Sequence, residues 1–78
     1  MKVIVNDRRP FELEGTPAEV VNGLRKTAWM VEPSKIEYMD AVRHRVLITK
    51  ERIIRNSSFL DFLEDIESLG LLTILKER

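Results

Sequence analysis

The chain has 78 residues, 44% of them hydrophobic and 33% charged, with 13 Lys and Arg balancing 13 Asp and Glu. That length suits one domain over residues 1–78, near the lower limit for a single unaided hydrophobic core, and the composition excludes a disordered polyelectrolyte. Zero net charge argues against a dedicated nonspecific nucleic-acid binder, and no apolar run approaches the ~20 residues of a membrane-spanning helix.

The first residues, Val3-Ile4-Val5, form a β-branched run followed by polar Asn6-Asp7-Arg8-Arg9. Phe11 and Leu13 then alternate with Glu12 and Glu14, so the pattern predicts a β-hairpin with Pro10 at the start of an edge strand. The early turn to polar residues does not match a secretory signal, and a cytoplasmic location is the expectation.

Three helix starts follow, each a Ser or Thr with an acid three residues later: Thr16 with Glu19, Ser34 with Glu37, and Ser58 with Asp61. The hydroxyl accepts a hydrogen bond from a free first-turn amide, and the acid favours the positive helix end. The first helix is expected from Pro17 to about Met30, with Val20, Val21, Leu24, Thr27, Ala28 and Val31 on its apolar stripe. Pro33 limits its continuation. The second helix begins after Ser34, with Ile36, Met39, Val42, Val46 and Leu47 as its stripe. Residues 46–49 fit either helix or strand. Helix to about Ile48, a turn near Lys50-Glu51 and a short strand at Ile53-Ile54 are the expectation.

The third helix places Phe59, Phe62, Leu63, Ile66 and Leu69 on one face, and Gly70 supplies a left-handed stop. Leu71 to Leu75 reads as a strand buried on both faces, or nearly so, and Lys76-Glu77-Arg78 as a solvated tail. The whole predicts an α+β domain in the order ββαα(β)αβ. A small, mainly antiparallel sheet joins the N-terminal hairpin to the C-terminal strand, and three helices cover one face.

A search for chemistry yields no catalytic set. His44 is the only histidine, cysteine is absent, and Gly15, Gly23 and Gly70 are too scattered for a phosphate loop. His44 reads as a solvated helix residue, and the acids of the third helix match a solvated helical face rather than a metal site. No catalytic, cofactor-binding or metal-ligating residue is expected, and the chain is not expected to be an enzyme.

Charge is nevertheless segregated. Arg43, Arg45, Lys50, Arg52 and Arg55 cluster in one stretch, whereas the third helix carries Asp61, Glu64, Asp65 and Glu67 and no base. One reading is mutual attraction between neighbouring segments of the fold. The other is an anion-binding patch for a phosphate backbone or an acidic partner. A helix-turn-helix does not fit, because the second connection exceeds the usual ~3–4 residues and the would-be recognition helix is acidic. Of two aromatics, Trp29 lies roughly opposite the apolar stripe of the first helix, if that helix stays regular to its end, and Tyr38 beside the stripe of the second. They are candidate partner-binding anchors as well as candidate core covers.

The hairpin leading into Glu14-Gly15-Thr16-Pro17-Ala18-Glu19-Val20-Val21 resembles segments of a loose group of short, uncharacterised bacterial and phage-encoded α+β proteins with no assigned activity. Pro33 to Met39 and Phe59 to Leu72 share that resemblance, whereas Arg43 to Arg55 fits least. The resemblance implies the fold order and transfers no site residues. The functional expectation is a non-enzymatic protein-interaction module of unknown pathway, without cofactor, either self-associating or a subunit of a larger complex. Nucleic-acid or polyanion binding through Arg43 to Arg55 is the alternative.

Overall fold

A computed structural model of the chain describes residues 1–28 and 31–75. Trp29, the expected helix end at Met30 and the tail 76–78 lie outside the described residues. Six elements follow in order: β1 (Lys2–Val5), β2 (Phe11–Glu14), α1 (Pro17–Thr27), α2 (Lys35–Lys50), α3 (Phe59–Ser68) and β3 (Leu72–Leu75). The three strands form one antiparallel sheet in the order β2-β1-β3. The expected α+β fold is present.

β1 is central, pairing with β2 on one side and β3 on the other. Val3 faces Leu13 on one neighbour and Ile74 on the other, and Val5 faces Phe11 and Leu72. These residues share the face packed against the helices, with Val3 and Leu72 fully buried. Glu12, Glu14 and Thr73 point to the opposite, solvated face. β3 is therefore buried on one face only, a correction to its apolar appearance in sequence. With all the helices on one side, every second residue of the strand meets water.

All three predicted caps form. Thr16 accepts from the Glu19 amide at 3.2 Å while the Glu19 carboxylate accepts from the Thr16 amide at 3.1 Å, a complete capping box. Hydrogen bonding from the Thr16 backbone amide, and then from the Thr16 side chain, holds the Glu19 carboxyl below its ordinary pKa. Ser34 and Ser58 accept from the amides of Glu37 and Asp61. At the end of α3, Gly70 takes φ +80°, its amide bonding the Glu67 carbonyl and the Leu71 amide bonding the Ile66 carbonyl. This crossed pair is the Schellman arrangement that a glycine permits.

Val20, Val21 and Leu24 of α1, Met39 and Val46 of α2, and Phe62, Leu63 and Ile66 of α3 build the core over the sheet. Gly23 lets β2 approach α1: a Cβ there would lie 2.9 Å from a methyl of Leu13. α1 ends earlier than expected, at Thr27, whose hydroxyl bonds back to the carbonyls of Gly23 and Leu24. Val31 is accordingly off the core, 60% exposed. The Arg25 guanidinium braces the following loop through the Glu32 carbonyl at 2.8 Å.

α2 continues unbroken through residues 46–49 to Lys50, where Glu51 adopts a left-handed φ of 53°. Residues 51–56 carry no strand, so the expected pairing at Ile53-Ile54 is absent. β3 takes the place beside β1, and Ile54 instead inserts singly into the core while Ile53 stays 75% exposed.

Candidate functional site

The outward surface of α2 carries most of what is unexplained by folding. Met39 and Val46 are buried and Val42 partly so, which sets one narrow side of the helix against the core. Ile36 and Leu47, expected in the same stripe, are 56% and 47% exposed, and Ile48 is 66% exposed on the far side. At ~100° per residue, Ile36 and Leu47 fall to one flank of the line through Met39 and Val46. The helix therefore presents apolar groups in directions where the fold supplies no cover.

Two shallow depressions lie on this surface, both lined by α2 alone. One is bounded by Asp40, Arg43, His44 and Leu47, and the other by Asp40, Ala41, His44, Arg45, Ile48 and Thr49. The small side chain of Ala41 leaves the floor of the second open. His44 stands between them, exposed as expected. Asp40 is held from one side by the Asn56 side-chain amide through Oδ1.

The five basic residues singled out in the sequence do not converge. Arg55 is turned onto α3: its backbone amide donates to Asp65 Oδ2 at 2.7 Å and its Nη2 to Oδ1 at 2.9 Å, with Asp61 Oδ1 3.3 Å from Nη1. Hydrogen bonding from the Arg55 side chain and then from its backbone holds the Asp65 carboxyl below the ordinary carboxylate range, and the same contact raises the Arg55 pKa. Mutual attraction between segments thus accounts for Arg55. Arg43 and Arg45 are both exposed, but residues two apart on a helix point ~160° away from each other. Lys50 ends α2 and Arg52 lies in the irregular segment beyond it, both exposed.

Of the two aromatic candidates, Tyr38 faces inward. Its ring meets Phe62 edge-on, with centroids 6.2 Å apart at 71°. Burial pushes its phenol pKa up, opposed by the nearby Arg45 charge. Tyr38 is thus a half-buried packing residue between α2 and α3, not a projecting anchor. Trp29 lies outside the described residues.

Among the described residues no polar or charged side chain is buried, and no three metal-ligating side chains come together. No described helix is long and apolar enough to cross a membrane. Sequence reading passed over Asp40, Leu47 and Ile48 as surface features. The available signal was that the apolar residues of α2 occupy more of its circumference than one core contact needs.

Comparison of the chain with protein-family models, with curated proteins and with solved structures finds no match.

Proposed function

We propose that the protein is a non-enzymatic interaction module whose docking surface is the outward side of α2, working in a bacterial cytoplasm. The observation that carries this reading is the concentration of exposed large apolar side chains at Leu47, Ile48 and Ile53, within seven residues of chain. Scattered exposed apolar residues are ordinary, whereas three within seven residues of chain, flanked by charge, support a contact surface. Arg43, His44, Arg45 and Arg52 supply that rim, and charges at a rim steer encounter and choose partners.

The test is site-specific photo-crosslinking in the native host. A photo-reactive amino acid in place of Ile48 is expected to yield a discrete crosslinked species, while the same group at Asp7, exposed in the hairpin loop, yields none. Equal products from both positions, or none from Ile48, would contradict the reading.

Polyanion binding is the second reading, favoured by the exposure of Arg43, Arg45, Lys50 and Arg52. It predicts salt-sensitive anisotropy changes with a labelled oligonucleotide, abolished by the Arg43→Glu/Arg52→Glu double variant. Arg55 is left out of that variant because α3 already holds it.

A further inference from the structure

One exposed flank of α2 carries a row with internal symmetry. Ile36, Asp40, Arg43 and Leu47 follow the four-three-four spacing of a helix-pairing seam, and all four are exposed. Read from the N-terminal end, the row is apolar, acidic, basic, apolar. Read backwards, it is apolar, basic, acidic, apolar. An antiparallel copy placed against it meets apolar with apolar and acid with base at every position.

We propose that α2 pairs with α2 of a second copy of this chain across a two-fold axis level with residues 41 and 42. This rests on the interaction-module reading above and specifies its partner. In such an isologous contact, residues on one flank of a helix meet the same flank of its antiparallel mate. Ile36 packs on the partner's Leu47 and Asp40 pairs with the partner's Arg43, each contact occurring twice. Charge complementarity selects this occupant. On this side of α2 the acids Glu37 and Asp40 precede the axis, and Arg43 and His44 follow it. Lys35, the base that would spoil the acidic half, is drawn over the Phe59 ring, 6.0 Å from its centroid. Asp40 bonds Asn56 through Oδ1, leaving Oδ2 for the new contact. The depression between Asp40, Arg43, His44 and Leu47 is lined by α2 residues.

The row also dictates its own test. Asp40→Arg puts two bases opposite two bases, and Arg43→Asp puts two acids opposite two acids. Sedimentation equilibrium of the full chain at low salt should show reversible dimers for the natural sequence and at least tenfold weaker association for either single variant. An equimolar mixture of the two variants should dimerise again, because only the heterodimer restores both attractions. Circular dichroism spectra matching the natural protein establish that both variants fold, and Leu47→Asp provides a variant that weakens association without touching Asp40. A natural chain that stays monomeric to millimolar concentration, single variants that dimerise normally, or a mixture that stays monomeric would each overturn the proposal. A monomer that still gives a single heterologous crosslink from Ile48 would overturn self-pairing while leaving the interaction-module reading in place.

Discussion

Arg55 and Asp65 are joined twice, once through the backbone amide of Arg55 and once through its guanidinium. One carboxylate thereby holds both the chain leaving α2 and the guanidinium of an arginine that stays half exposed. The Asp65 carboxyl titrates below its ordinary range when folded. Its unfolded form therefore binds more protons between the two pKa values, so its contribution to stability is present above the ordinary aspartate pKa and is lost as pH falls through the folded one. Asp65→Asn should lower the urea midpoint at neutral pH, and the gap from the natural protein should close on acidification below about pH 4. A gap independent of pH would show that the bond is not charge-assisted.

Glu67 performs a similar service at the sheet edge. Its Oε2 accepts from the Ile74 amide at 2.6 Å, covering a donor on the side of β3 away from β1. Unpaired edge donors invite strand addition by other chains. Glu67→Ala should accelerate hydrogen exchange at the Ile74 amide while leaving the Val3 amide, inside the sheet, nearly unchanged. Equal acceleration at both would indicate global destabilisation instead.

Gly23 and Leu13 should behave as a coupled pair. Alanine normally gains ~0.8–1.0 kcal/mol over glycine inside a helix. Here the added methyl meets a Leu13 methyl at 2.9 Å, which should cancel that gain or reverse it. In a Leu13→Ala background the same Gly23→Ala change should become stabilising, giving a coupling energy of at least about 0.5 kcal/mol in a denaturation cycle. Additive effects would show that β2 does not press on α1 at this point.

Phe62 is fully buried beneath Tyr38, whereas Leu60 on the same helix is 44% exposed. Phe62→Ala should cost ~3–5 kcal/mol, enough to leave a domain of this size largely unfolded, and Leu60→Ala should fall within about 0.5 kcal/mol of the natural protein. Thermal melts of the two variants separate these outcomes.

Local signals made most of the fold legible in the sequence. The caps at Thr16, Ser34 and Ser58 and the stop at Gly70 act over a few residues, so the chain alone reveals them. Strand order and β3's one-sided burial depend on which strand finds two neighbours, a long-range matter that Leu71 to Leu75 cannot express locally. The same limit affected Ile53 and Ile54, where a β-branched pair resembles a strand but one residue pegs the core and the other faces solvent. The basic segment was visible as composition, whereas the capture of Arg55 by α3 and the divergence of Arg43 from Arg45 required coordinates. The symmetric row on α2 was spelled out in the sequence throughout. It became meaningful once Ile36 and Leu47 proved to lie outside the core.

Nuclear magnetic resonance over a dilution series tests most directly whether α2 pairs with α2 of a second copy. With a ¹⁵N-labelled chain taken from millimolar to low micromolar concentration, amide shifts of Ile36, Asp40, Arg43, His44 and Leu47 should move together along a single isotherm, while those of Glu12 and Glu14 on the edge strand β2 stay fixed. Spectra that do not change with concentration, or changes centred on β2 and β3, would contradict the account.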